Sequence, residues 1–292
     1  MSLFFNHVVI IGTGLIGGSA ALALKRAGCA KRITGVGRSV ENLEDAVRLG
    51  VIDDYSHAIE TAVTDADLVI IAVPVAGCAA VFQALTDAAL PAHAIITDVG
   101  STKQSVIDAA HDFSHLANFV PAHPIAGTEH SGAAAAFAKL FDGRMCIITP
   151  HTTTDTHALE IIVTLWRTIG AKVEVLDAET HDHILAAVSH LPHLAAFSIV
   201  NAVCREGAIH VFPYAAGGFR DFTRIASSSP EMWRDISLCN QPAIVQQLDA
   251  LLEELGELRQ ALIQHDGEQL LQKFRAAKQA RDQWLADYGE KR

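Results

Sequence analysis

The stretch His7–Leu24, "HVVIIGTGLIGGSAALAL", decides the fold. Four β-branched residues run straight into a glycine turn, and a run of Ala and Leu follows. A strand that feeds a helix through GxGxxG is the entry to a dinucleotide-binding βα unit, and this context separates the motif from a chance match. Gly12 permits the tight turn, Gly14 lets the backbone approach a pyrophosphate, and Gly17 lets the helix pack on the strand. The amides near Leu15 and Ile16 then face phosphate at the positive end of the helix.

Working outward, β-branched runs alternate with helical patterns up to about Pro150: Arg32–Gly37, Leu68–Val73, Ala94–Val99, Asn118–His123 and Arg144–Thr149. Unbroken apolar strands rather than alternating ones predict a mostly parallel sheet buried on both faces, the doubly wound α/β arrangement. Ala171–Asp177 reads as a last strand. Beyond Asp177 the strand pattern stops, and helical periodicity takes over from about 180 to 206 and from about 241 to 287. We therefore expect a Rossmann domain over 1–177 and an all-α domain over 178–292.

Composition narrows the function. The chain has 292 residues, half of them hydrophobic and 19% charged, with a formal net charge of −11. That balance argues against nucleic acid or anionic membrane as a partner. Any anionic ligand must be met by local cations, because screening confines charge effects to roughly 8 Å at physiological salt. The five cysteines are odd in number and lack a CxxC pair, which predicts reduced, buried thiols. The N-terminus lacks the basic region of a signal peptide, and no apolar run approaches the ~20 residues that span a bilayer. A cytoplasmic protein is expected.

Two regions carry the chemistry. About 20 residues beyond the glycines, where NAD-binding folds place an acidic residue for the ribose, stand Gly37, Arg38 and Ser39. An arginine and a hydroxyl suit a 2′-phosphate, so NADP is expected, with NAD as the alternative. At the carboxyl edge of the sheet, "TDVGSTKQS" (Thr97–Ser105) offers Ser101, which with Gln104 also spells a helix capping box. His123 ends the next run, and Pro124 biases its backbone toward an extended conformation. An imidazole there is suited to take a proton while hydride leaves. In "HDHILAAVSHLPH" (His181–His193), His181, His183 and His190 read by default as helix packing residues. Without a cysteine partner or HExxH, no metal site is expected. Pro192 predicts a kink.

"GTGLIGG", "AVPV", "TDVGSTK", "HPIAGTEHSG", "SHLPH" and "GGFRDFTRIASSSPEMW", in that order over nearly the whole chain, resemble the prephenate/arogenate dehydrogenases of tyrosine biosynthesis. The resemblance implies oxidative decarboxylation of a cyclohexadienyl acid, with His123 as base and Ser101 as its orienting partner. It implies Val73 and Pro74 beside the cofactor, Glu129 at the gate, Arg224 on a substrate carboxylate, and His193 at the substrate's side-chain end. Arg220 stands where relatives carry lysine, which keeps the charge and changes the geometry. A homodimer is implied as well. The rival readings are another Rossmann dehydrogenase, with Lys103 as its early acid/base candidate, and an NADPH-holding sensor.

Overall fold

The computed structural model describes residues 3–128, 130–205 and 208–289. Among the described residues there are nine strands: β1 (Phe5–Ile11), β2 (Ala30–Val36), β3 (Asp54–Ser56), β4 (Leu68–Ile71), β5 (Ile95–Asp98), β6 (Phe119–Val120), β7 (Ala122–Pro124), β8 (Met145–Ile148) and β9 (Lys172–Val175). The first six form a parallel sheet in the order β3-β2-β1-β4-β5-β6. Alternation along each strand sends side chains to opposite faces, so the apolar runs supply two cores. Val8, Ile10, Leu68 and Ile70 join one, while Val9, Ile11, Val69 and Ile71 join the other.

The helices are α1 (Leu15–Ala27), α2 (Val40–Arg48), α3 (Ile59–Ala62), α4 (Cys78–Asp87), α5 (Gln104–Ala109), α6 (Thr156–Thr168), α7 (Ala178–Leu185), α8 (Leu191–Arg205), α9 (Ala208–Val211), α10 (Gly217–Thr223), α11 (Pro230–Cys239), α12 (Gln241–Ile263) and α13 (Gly267–Tyr288). This is the expected Rossmann arrangement followed by helices.

Several sequence expectations change. The run Asn118–His123 is not one strand. It breaks at Pro121, which has no N–H for a ladder, and β7 leaves the main sheet to pair antiparallel with β8 in a second sheet, β7-β8-β9. The Pro121 carbonyl still accepts the Thr149 amide at 3.0 Å. The single helical tract expected over 241–287 is two helices. The chain turns at His265 (φ 55°), and Asp266 caps α13 by accepting the Gln269 amide. The kink expected at Pro192 takes the form of a π-helical turn, Ala186–His190, directly before α8. Such turns absorb the hydrogen bond that a proline removes. Of the cysteines, Cys29, Cys78 and Cys146 are buried, whereas Cys204 is exposed.

The 28-residue helical run Ala178–Arg205 is, by length and composition, apolar enough to cross a bilayer, which the sequence reading had not registered. It also turns His181, Asp182 and His190 into the protein interior. By compactness the chain separates into Met1–Gln241 and Pro242–Arg292. In the second unit Lys273 bridges Glu254 at 2.9 Å and also pairs with Glu257, tying α13 to α12.

Candidate active site

The glycine turn sits between β1 and α1, where the order β2-β1-β4 reverses direction and open α/β sheets bind ligands. Gly12 has φ +102°, and a Cβ on it would stand 2.4 Å from the Ala72 carbonyl oxygen. A Cβ on Gly17 would stand 2.1 Å from the Gly12 carbonyl oxygen. Both glycines are steric requirements of the turn itself. At Gly14 nothing lies within 4 Å of the place a Cβ would take. Gly14 caps α1 with no side chain on the first-turn amides, and that turn holds no acidic residue. An open approach to free amides, Leu15 and Ile16 among the first, fits a dinucleotide pyrophosphate. Val73 and Pro74 follow Ala72 at the end of β4, beside this turn.

Arg38 and Ser39 lie exposed just past the end of β2. The Ser39 hydroxyl caps α2, accepting the Asn42 amide at 3.2 Å. Asn42, which sequence reasoning passed over, donates to the Thr13 carbonyl and hydroxyl at 3.1 and 2.9 Å and accepts the Ala133 amide at 2.9 Å. It thus ties the glycine turn to the loop that follows β7.

Asp98, the last residue of β5, and Lys103, five residues on, are fully buried. Lys103 Nζ donates to Asp98 at 2.5 Å and to the Ala122 carbonyl at 2.7 Å, and Asp98 also accepts the Gly100 and Ala122 amides. This pair clamps the loop holding Ser101 to the residue before His123. With its ammonium so engaged, Lys103 is a structural cation and not the free acid/base of the rival dehydrogenase reading. The capping box expected from Ser101 and Gln104 does not form. The first-turn amides of α5, from Lys103 and Gln104, are instead met by the two Asp182 carboxylate oxygens at 2.8 and 2.9 Å. A carboxylate brought by the fold displaces the local hydroxyl, and Ser101 stays half-buried without a side-chain hydrogen bond among the described residues.

His123 is 9% exposed. Its Nδ1 lies 2.9 Å from His181 Nε2, and His181 Nδ1 lies 2.8 Å from Asp182 Oδ1. Burial, seconded by His181, Lys103 and His190, holds the His123 pKa well below the usual imidazole range. His123 therefore stays neutral and able to accept a proton at physiological pH. His181 is thus part of the site and not only a packing residue, while His183 is exposed. His190 is buried. Its Nδ1 lies 3.2 Å from Asn240 Nδ2, which also donates to the Asp182 carbonyl at 2.8 Å, and burial pushes its pKa down to about 4.

His193 donates from Nδ1 to the Ser189 carbonyl at 2.8 Å and stacks on Trp233 with ring centroids 3.7 Å apart. Burial lowers its pKa, and the nearby positive charge of Arg224 adds to this. Arg224 opens a 3₁₀ turn, Arg224–Ser227, that packs on α8. Arg220 points into solvent, paired with Asp221 at 3.1 Å. Glu129 lies outside the described residues, and His130 is exposed, as expected of a surface residue. Among the described residues no group of three or more His, Cys, Asp or Glu is placed to hold a metal ion.

A doubly wound sheet with an open glycine turn at its switch point, and a buried neutral imidazole on β7 beside it, defines a nicotinamide-dependent dehydrogenase. Comparison with known proteins identifies which kind. The family description "Prephenate dehydrogenase, nucleotide-binding domain" matches residues 20–175, and "Prephenate dehydrogenase, dimerization domain" matches residues 177–276. The chain is 40% identical to the cyclohexadienyl dehydrogenase of Zymomonas mobilis over 95% of each protein. It is 41% identical to the prephenate dehydrogenase of Bacillus subtilis over 97% of this chain and 77% of that one. It is also similar to the crystal structure of Aquifex aeolicus prephenate dehydrogenase in complex with hydroxyphenyl propionate and NAD+, with a TM-score of 0.90, 33% identity and coverage of 97% and 99%. The chain belongs to the prephenate dehydrogenase family and is an NAD(P)-dependent oxidoreductase.

Proposed function

We propose that the protein oxidatively decarboxylates prephenate, arogenate or both, giving 4-hydroxyphenylpyruvate or tyrosine, with NADP as hydride acceptor. The observation that carries this reading is His123, buried and neutral in the middle of the short strand β7 and tied to His181 and Asp182, in a chain that matches the family across both of its domains. A nicotinamide dinucleotide held at the Gly12–Gly17 turn would supply the hydride acceptor for the ring carbon that bears the hydroxyl. His123 takes the hydroxyl proton, the ring carboxylate departs as CO2, and aromatisation drives the reaction, so the protein chiefly positions and deprotonates.

Ser101 orients His123 or shares its contact with the ring hydroxyl. Arg224 binds a substrate carboxylate, His193 meets the side-chain end beside Trp233, and Arg220 adds positive charge from the solvent side. Glu129 gates the site. On the cofactor, Gly12, Gly14, Leu15, Ile16 and Gly17 hold the pyrophosphate, Arg38 and Ser39 take the 2′-phosphate, and Val73 and Pro74 border the nicotinamide half. Residues 1–177 form the cofactor domain and 178–292 the substrate and dimerisation domain of a cytoplasmic homodimer. Exposed Leu262, Phe274 and Trp284 in α12 and α13 supply apolar surface for that assembly.

A four-way comparison of kcat/KM, prephenate and arogenate each with NAD and NADP, tests the proposal. Reduced cofactor should form with at least one substrate, and more efficiently from NADP. Arg38→Asp should weaken NADP far more than NAD. Equal losses for both cofactors remove the NADP assignment, and no turnover with either substrate removes the function.

A further inference from the structure

The direction of each hydrogen bond in the His123–His181–Asp182 series can be deduced from its far end. Asp182 Oδ1 accepts the Lys103 backbone amide at 2.8 Å and Oδ2 accepts that of Gln104 at 2.9 Å, so this carboxylate acts as an acceptor. His181 Nδ1, 2.8 Å from Oδ1, must therefore carry a proton and donate it. Burial lowers the pKa of His181 against the opposing pull of Asp182. Its ring is then neutral, and its Nε2 holds a lone pair. That lone pair faces His123 Nδ1 at 2.9 Å, so His123 Nδ1 carries the proton of this second bond. A neutral imidazole has one ring proton, and His123 Nε2 is left as an acceptor, with no hydrogen bond to any described residue.

We propose that Asp182 and His181 are positioning residues, a relay that locks His123 in its Nδ1–H tautomer and presents Nε2 as the proton acceptor of the site. The proposal deepens the reading of His123 as base and rests on it. The relay's anchor is rigid, because the same carboxylate caps α5 and the Asp182 carbonyl is held by Asn240 at 2.8 Å. His181 comes from the helix that opens the C-terminal helical part, so the base on β7 is aimed by a residue beyond the last strand. When the substrate proton arrives at Nε2, the Nδ1–H bond to His181 remains, and the imidazolium is stabilised where it forms.

Two measurements on the full-length protein test the relay. Nitrogen–proton correlation spectra of the ¹⁵N-histidine-labelled protein, with His123 assigned through His123→Asn, should show the His123 proton on Nδ1. In His181→Leu that preference should be lost. Steady-state kinetics should show kcat falling about 10- to 10³-fold in His181→Leu, the range for loss of a group that orients a catalytic imidazole, with KM little changed. His181→Gln, whose amide offers both an acceptor and a donor, should recover most of that loss. A proton found on Nε2 of wild-type His123 overturns the relay. So does a His181→Leu kcat within about threefold of wild type, a difference too small for a lost transition-state interaction. His123→Asn in the same assay keeps the two readings apart. If it stays active the base assignment fails, whereas if it is inactive beside a fully active His181→Leu only the relay fails.

Discussion

His123 shows how far a single residue could be read. Its place before Pro124, near the edge where the cofactor binds, pointed to a base before any distance was known, although β7 runs on through Pro124 and His123 is its middle residue rather than its end. Its partners were not legible. His181 and Asp182 are adjacent in sequence, and neighbouring helical positions do not ordinarily face one another, so "HD" carries no sign of a pair. Asp182 also takes over the helix cap that Ser101 and Gln104 spell, because two backbone amides aimed at one carboxylate outcompete a local hydroxyl. Lys103 read as a charged residue beside Ser101 and the rival's acid/base candidate, yet it is fully buried on Asp98. Removing one partner of a buried pair strands the other charge. Lys103→Met should therefore cost about 3–5 kcal/mol in urea unfolding, and adding Asp98→Asn should restore part of it. A loss below about 1 kcal/mol would place the pair among ordinary surface ion pairs.

At the scale of elements, the glycine turn separates two functions that one motif combines. Gly12 and Gly17 face backbone carbonyls that cannot move aside, and Gly14 faces open space. Gly17→Ala should destabilise the fold by about 1–3 kcal/mol or more, as overpacking does. Gly14→Ala should unfold near the wild-type midpoint yet bind dinucleotide at least about tenfold more weakly, a loss of about 1.4 kcal/mol, read by calorimetric titration. Equal behaviour of the two variants would contradict this division. Elsewhere element boundaries departed from the pattern where one residue overrides it. Pro121 divides an apolar run between two sheets because it cannot donate to a ladder, and Asp266 starts a new helix inside a continuous amphipathic tract. Periodicity averages over such single residues and so cannot register them.

For the whole molecule, the buried imidazoles set an acid limit to stability. His123, His181 and His190 are all held below the ordinary imidazole value, mainly by burial. Below pH ~6.5 the unfolded chain takes up protons that the native state refuses, so stability falls as pH falls. The contribution of His190, with its pKa pushed to about 4, grows to about 3 kcal/mol by that pH. Acid also relieves the repulsion of a net charge of −11, which acts the other way, but surface charges are screened beyond roughly 8 Å and this effect is the smaller. Urea midpoints should be lower at pH 5.5 than at 7.5, and an equal or higher midpoint at pH 5.5 would refute the account. The chain by itself determined the doubly wound sheet and the glycine turn, because strand runs and turn glycines are local patterns. Only the tertiary structure decided what His123 touches, which residue caps α5 and where Lys103 ends. The contacts of His123 and the cap of α5 join positions 58 and 79 residues apart, and Lys103 reaches the Ala122 carbonyl 19 residues on, so nothing in local spacing records which distant group the fold will bring to hand.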